Sequence, residues 1–326
     1  MAASAGVSPA TVSRVLNGRT DVAAALRERV DAAIADLGYR PNGAARSLRT
    51  RATTVLGVLI SDITNPFFTS MVRGIEDAAQ EADYSVVLAN TDEDGAKERR
   101  YLEVAAAEQM AGVVLSPSSP SEHQLSILTE RRIPVVTVDR RVPGAAVDSV
   151  MVNNQRAADD ATTHLIEQGC RRIGFVSGPR STTTGSRRMA GYKAALKRAG
   201  VDAEAGLVVS GDFRVEGGRV ATSVLLADQQ LDGLFVANNL MTIGALEAIT
   251  AAGLTMPDDL AVVGFDQSSW ATAVNPPLTV VTQPTYEIGR EAATLLLRRI
   301  RGETGEPMHV VLPATLLIRG SSIRSR

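Results

Sequence analysis

Cysteine is almost missing from this 326-residue chain. Its single thiol, Cys170, excludes any intrachain disulfide, so nothing in the sequence calls for an oxidising compartment. Histidine is nearly as scarce. His123, His164 and His309 are scattered, and neither they nor Cys170 form a nucleophile–base pair or a metal-ligand cluster. Long apolar runs are absent: none approaches the ~20 residues that a membrane-spanning helix needs. The N-terminus lacks the charged segment and apolar stretch of a secretory signal, and no Walker loop or dinucleotide fingerprint occurs. The expectation is a cytoplasmic chain that is not an enzyme, with no cofactor, no metal site and no membrane partner.

What is present is an ordinary globular composition, 44% hydrophobic and 21% charged, in a chain long enough for two sizeable cores. The net charge of −2 argues by itself against a nucleic-acid binder, but its distribution argues for one. Residues 1–51 carry eight arginines against four acids, a balance of +4, which leaves −6 for the remainder. A basic head on an acidic body suits a protein whose one end meets phosphates.

Within that head, "AGVSPATVSRVLNG" has the grammar of a helix built to touch something. Ser8 is its N-cap, Pro9 its first residue, and Asn17-Gly18 its stop. Val12, Val15 and Leu16 share an apolar face, and Thr11 and Arg14 lie on another. Small residues let a backbone approach a groove, and an arginine can reach a phosphate or a guanine edge. Ala5-Gly6-Val7 forms the tight turn of a helix-turn-helix. A second amphipathic helix follows, with Leu26, Val30, Ala33, Ile34 and Leu37 on one side and Gly38 as its stop. After Pro41, "NGAARSLR" makes a short helix carrying Arg46 and Arg49 with one exposed apolar residue, Leu48. So short a helix is marginal in water, and Gly43 costs it roughly 1 kcal/mol relative to Ala. A segment that orders only on a partner, with Leu48 as a wedge for the minor groove, fits this pattern. Taken alone, the same helices also read as a small bundle without a ligand.

From Val55 onward, short apolar runs ("VLGVLI", "GVVLS", "GLFVAN", "LAVVGFD") alternate with helical stretches, in two successive sets. Strands apolar throughout and separated by helices predict parallel sheets covered on both faces, in two similar α/β lobes. Ligands of such sheets sit beyond the carboxyl ends of the strands. There stand "SDITNPFF", Asp139-Arg140, Asn238-Asn239 and Asp266, with Arg188 early in a helix and Phe213 after "SGD". Carboxylate, amide and guanidinium groups around an aromatic face are what a polyhydroxylated ligand requires. Each also has a plain structural reading: Asp139-Arg140 as a surface ion pair, Phe67-Phe68 as a helix start, Asn238 as an N-cap.

The motifs "GVSPATVSRVLNG … LGYRPN … ARSLRT" resemble the lactose/galactose-repressor (LacI/GalR) family of bacterial transcription regulators. "GVLISDITNPFF", "IPVVTVDR", "RRMAGYKAAL", "FVANNLMTIGALEAI" and "AVVGFDQSSWATAVNPPLTVVTQP" extend the resemblance through the effector-binding core of that family, which is similar to periplasmic sugar-binding proteins. It implies an α/β fold with a helix-turn-helix head over 1–41, its first helix truncated to Met1–Ser4. A hinge helix and linker follow over 42–51, then an effector-binding and dimerisation domain over 52–326. In that domain, lobe 1 takes about 54–154 and 284–314, and lobe 2 about 155–283 and 315–326. The resemblance further implies that Ser8, Pro9, Ala10, Thr11, Ser13, Arg14, Asn17, Arg46 and Leu48 meet DNA. The effector pocket would be Asp62, Asn65, Phe67, Arg140, Arg188, Phe213, Asn238, Asp266 and Gln283. Asn153 and Asn239 stand where the family usually has Asp, which changes the hydroxyls that can be held.

These expectations describe a repressor that binds a palindromic DNA operator as a homodimer and is switched by a small sugar-like effector. The dimer would form through first-lobe helices around Phe68–Ile75 and Arg99–Met110. The alternative is a sugar-binding protein without a DNA-binding role.

Overall fold

The computed structural model describes residues 1–16, 19, 21–37, 53–118, 122–202, 204–228 and 230–324, in two compact units, Met1–Thr53 and Thr54–Arg326. In the first unit, helices α1 (Ala2–Ala5), α2 (Pro9–Leu16) and α3 (Ala24–Asp36) enclose a small core of Ala5, Val12, Val15, Val30 and Ala33. The turn before α2 follows from local chemistry. Gly6 takes a φ of 61°, which a side chain would resist. Ser8 Oγ accepts the Thr11 amide at 3.1 Å, and Pro9 occupies a position whose N–H would have had no helical partner. Arg29 of α3 donates to the Gly6 carbonyl at 2.9 Å and ties the third helix to that turn. Leu37, expected on the apolar side of α3, is 54% exposed. The helix ends at Asp36, so Leu37 lies beyond the last turn that faces the core.

The second unit alternates strands and helices. Its first half runs β1 (Val55–Ile60), α4 (Pro66–Glu81), β2 (Ser85–Asn90), α5 (Gly95–Ala107), β3 (Gly112–Leu115), α6 (Glu122–Thr129), β4 (Val135–Val138) and β5 (Asp148–Val152). The second half runs α7 (Asn154–Glu167), β6 (Ile173–Ser177), α8 (Thr183–Ala199), β7 (Val208–Ser210), α9 (Val215–Asp228), β8 (Gly233–Val236), α10 (Asn239–Ala251), β9 (Ala261–Phe265) and β10 (Thr279–Thr282). The chain closes with α11 (Thr285–Ile300), β11 (His309–Leu312) and β12 (Thr315–Leu317).

These strands form two six-stranded sheets of matching order, β11-β5-β4-β3-β1-β2 and β12-β10-β9-β8-β6-β7. The chain crosses between them after β5, after β10 and between β11 and β12. Inner strands are buried along their length, as parallel strands covered by helices must be. Two departures from the sequence expectation follow from position in the sheet. Strand β2 is an edge and leaves Val87 and Leu88 exposed, so its apolar run does not report burial on both faces. Strand β12 pairs antiparallel with β10, because the chain returns to the second sheet without a helical crossover.

Phe175 and Phe235 stack in the second-lobe core with centroids 4.9 Å apart, and Tyr192 stacks on the other side of Phe175 at 5.0 Å. Burying side chains of this size contributes roughly 1.5–3 kcal/mol each. Helix pairs close on glycines. A Cβ at Gly74 of α4 would lie 2.1 Å from the Tyr286 carbonyl oxygen of α11, and one at Gly289 would lie 2.0 Å from that of Met71. Phe68, Met71 and Ile75 of α4 are consequently spent inside the first lobe. Exposed apolar side chains of that lobe, among the described residues, include Ile63 after β1, Val87 and Leu88 on β2, Val104 on α5, and Met308 and Val311 at the β11 edge.

Candidate functional site

The two lobes meet over a cavity of about 30 Å3, room for a water molecule or two. All nine side chains expected at a pocket line it: Asp62, Asn65, Phe67, Arg140, Arg188, Phe213, Asn238, Asp266 and Gln283. The reason is topological. Asp62, Asn65 and Phe67 follow β1, Arg140 follows β4, Phe213 follows β7, and Asn238, Asp266 and Gln283 follow β8, β9 and β10. The carboxyl ends of both sheets therefore face the same space.

Several of these side chains also shape the backbone that carries them. Asn65 caps α4 by accepting the Phe67 amide at 2.9 Å, and Asn238 caps α10 by accepting the Met241 amide at 2.9 Å. Asn238 donates as well to the Phe213 carbonyl at 3.0 Å. The Asp62 carboxylate accepts from the amide and hydroxyl of Thr64. The cap reading of Asn238 holds, and the same side chain lines the cavity. The surface-pair reading of Asp139-Arg140 is not, since both are buried.

Charge is concentrated here. Asp139 and Asp266 hold equivalent strand ends in the two lobes, both with left-handed backbone at φ 63° and 69°. Burial pushes the Asp139 carboxyl up to about 6, against the pull of Arg140 and Arg188. It raises Asp266 also, against Arg188 and a hydrogen bond from Gln283. Arg188 donates from Nε to Asn154 Oδ1 at 2.7 Å and from Nη1 to the Ala237 carbonyl, and its guanidinium lies 3.6 Å from the Phe265 ring centroid.

Among the described residues, three hydrogen bonds cross between the lobes. Asn239 Nδ2 donates to Asn65 Oδ1 at 2.9 Å, Arg214 to the Asp92 carbonyl at 3.1 Å, and the Arg141 amide to Thr183 Oγ1 at 3.2 Å. Arg140 adds a contact with the Phe213 ring, 5.5 Å from its centroid. A ligand much larger than water fits so small a space only if these contacts part. Glu93 also lines the cavity and was missed, because "TDEDGAKERR" reads as the solvated start of a helix. Its place after β2 was the available signal.

In the head, Ser8, Pro9, Ala10 and Arg14 are exposed and Thr11 and Ser13 partly so, while Val12 and Val15 on the opposite face are buried. Helix α2 thus offers a short polar surface with one arginine. Asn17, Arg46 and Leu48 lie outside the described residues.

Residues 1–42 match the bacterial regulatory proteins of the lacI family, and residues 162–322 match a periplasmic binding protein-like domain. The HTH-type transcriptional regulator CelR of Thermobifida fusca is 39% identical over 329 residues, 98% of this chain and 96% of that protein. The chain belongs to the lacI family.

As a lacI-family member it is a DNA-binding transcriptional regulator. Among solved structures, a complex of the regulator CelR with cellobiose is 36% identical, with a TM-score of 0.77 over 98% of each chain. The lac repressor dimer bound to operator and an anti-inducer is 26% identical, with a TM-score of 0.88 over 99% of this chain and 98% of that one. Asn153 is exposed and caps α7 through the Arg156 amide, whereas Asn239 is buried between the lobes. No helix among the described residues is long and apolar enough to cross a membrane.

Proposed function

We propose that this regulator is a cytoplasmic repressor that binds a palindromic operator as a homodimer and is switched by a sugar held between its lobes. The observation that carries this reading is the convergence of strand-end side chains from both lobes on one cavity. A ligand there must change the same hydrogen bonds that hold the lobes together, so ligand occupancy and lobe arrangement are coupled. Asp62, Asn65, Arg140, Arg188, Asn238, Asp266 and Gln283 supply polar contacts, and Phe67 and Phe213 supply apolar plates for C–H faces.

Ser8, Pro9, Ala10, Thr11, Ser13 and Arg14 face the major groove, with Asn17 near the backbone and Arg46 and Leu48 at the minor groove. Two-fold symmetry of a dimer matches a palindromic site. The exposed Val87, Leu88 and Val104 are the first-lobe surface for that association.

The test is fluorescence anisotropy of the full chain on a palindromic site from upstream of its own gene, at several salt concentrations, with and without cellobiose or related sugars. Tight, sequence-dependent and salt-sensitive binding that one sugar alters supports the reading. Binding indifferent to sequence and to every sugar would overturn it.

A further inference from the structure

Arg140 has the geometry with which proteins hold anionic ligands, and the chain has already filled it. The residue is 4% exposed, and its two terminal nitrogens donate to the two carboxylate oxygens of Glu93, both at 2.6 Å. One of them also donates to the Pro117 carbonyl at 3.1 Å. This parallel two-bond fork is how guanidinium groups recognise carboxylates and phosphates. An oxygen of Asp139 lies 3.4 Å from Nε. Buried Glu98, which accepts the Ser118 amide and hydroxyl, is close enough to feel the same charge. One cation is ringed by three carboxylates from three parts of the first lobe.

The loop that presents Glu93 is pinned in place. Asp92 and Glu93 both adopt left-handed backbone, at φ 55° and 60°. Asn90 Nδ2 donates to Asp92 Oδ1 at 2.6 Å, Lys97 pairs with the same carboxylate, and Arg214 of the other lobe holds the Asp92 carbonyl. The second buried cation of the cleft, Arg188, is spent on Asn154 and the Ala237 carbonyl. The cleft thus offers acceptor oxygens on Asp139 and Asp266, and its lining holds more carboxylates (Asp62, Glu93, Asp139, Asp212 and Asp266) than arginines (Arg140, Arg188 and Arg214).

We propose that Glu93 is a specificity residue: it occupies the anion-recognising fork of Arg140, so that the cleft takes uncharged polyhydroxylated ligands and rejects their phosphorylated or carboxylated counterparts. The proposal rests on the reading of the cleft as the effector site. A neutral sugar donates hydroxyls to Asp139 and Asp266 while the Glu93 pair stays intact. An anion reaches Arg140 only by expelling Glu93 toward Asp139 and Glu98, where like charges oppose it.

The test is anion rescue, measured on the full chain by thermal unfolding with inorganic phosphate against chloride at matched ionic strength. The wild type is expected to show only the small non-specific gain that phosphate gives over chloride, and rescue is read as the gain beyond it. Glu93→Ala, which bares a buried cation, is expected to unfold about 5–10 °C lower and to regain roughly half of that in phosphate. Glu93→Gln keeps the side-chain volume without the charge. It serves where the alanine variant does not fold, with a smaller rescue in the same direction. Glu93→Ala combined with Arg140→Ala is expected to lose the phosphate response. Phosphate stabilising the wild type as much as the single variants would overturn the proposal, because Arg140 would then be open to anions. So would single variants no more responsive than the double one. Neither DNA nor sugar enters this measurement, so its failure is separate from failure of the repressor reading.

Discussion

Asn239, in the first turn of a second-lobe helix, donates through Nδ2 to Asn65 Oδ1 of the first lobe at 2.9 Å, and both residues are buried. The same nitrogen donates to Ser268 Oγ at 3.2 Å. Asn65 is not free to turn its amide, because its oxygen also caps a helix through the Phe67 amide. The bond therefore needs a donor at position 239. Asn239→Asp places an acceptor against an acceptor, at a cost of about 1–3 kcal/mol for unmatched buried groups. The expected outcome is a shift toward the open arrangement, seen as a larger radius of gyration in small-angle scattering. An unchanged radius would mean that other contacts set the closure.

Asp139 makes stability depend on pH in a direction opposite to that of a surface carboxylate. Burial raises its carboxyl to about 6, above an unfolded value near 3.9. The folded state therefore binds more protons between those values. Its contribution to stability is complete below about pH 4 and is lost as pH rises through about 6. Asp139→Asn removes the titration, so the fall in unfolding temperature between about pH 5 and pH 7 is expected to be smaller in the variant. Buried His164, held below its usual value by desolvation, acts in the other direction as pH falls below about 6.5. It is present in both proteins and cancels in the comparison. Identical pH profiles would contradict the assignment.

Gly289 is required by helix contact and not by backbone conformation. A Cβ there meets the Met71 carbonyl oxygen at 2.0 Å, which only a separation of the two helices relieves. Gly289→Ala is expected to destabilise the first lobe by about 1–3 kcal/mol, as overpacked cores do. Chemical denaturation with an unchanged slope and a lower midpoint is the expected record. A midpoint equal to that of the wild type would show that the helices part without cost.

Arg188→Ala removes the cation that lies near both Asp139 and Asp266. Ligand-dependent change in DNA binding is expected to disappear, while affinity for the operator without ligand stays within a few-fold, measured by anisotropy. A response that persists would place the ligand outside this cleft.

Most of the cleft side chains were legible because parallel sheets bury their strands as continuous apolar runs, and polar residues stand out where those runs stop, whereas Gln283 came from the family resemblance alone. The capping turn at Ser8-Pro9 was legible for a similar local reason. Glu93 was hidden by its setting: in "NTDEDGAKERR" it is one acid among many, and nothing local says that it reaches Arg140, forty-seven positions away. Leu37 misled because apolar periodicity ran past the point where the helix stops.

Local chemistry, then, was enough to specify the alternation of strands and helices, the caps and the polar strand ends, since each depends on residues a few positions apart. The pairing of Arg140 with Glu93, the bond between Asn239 and Asn65, the close approach at Gly74 and Gly289 and the antiparallel return of the last strand were decided by tertiary structure. Each joins segments far apart in the chain, and their energies exist only when packing brings those segments within hydrogen-bond or van der Waals distance.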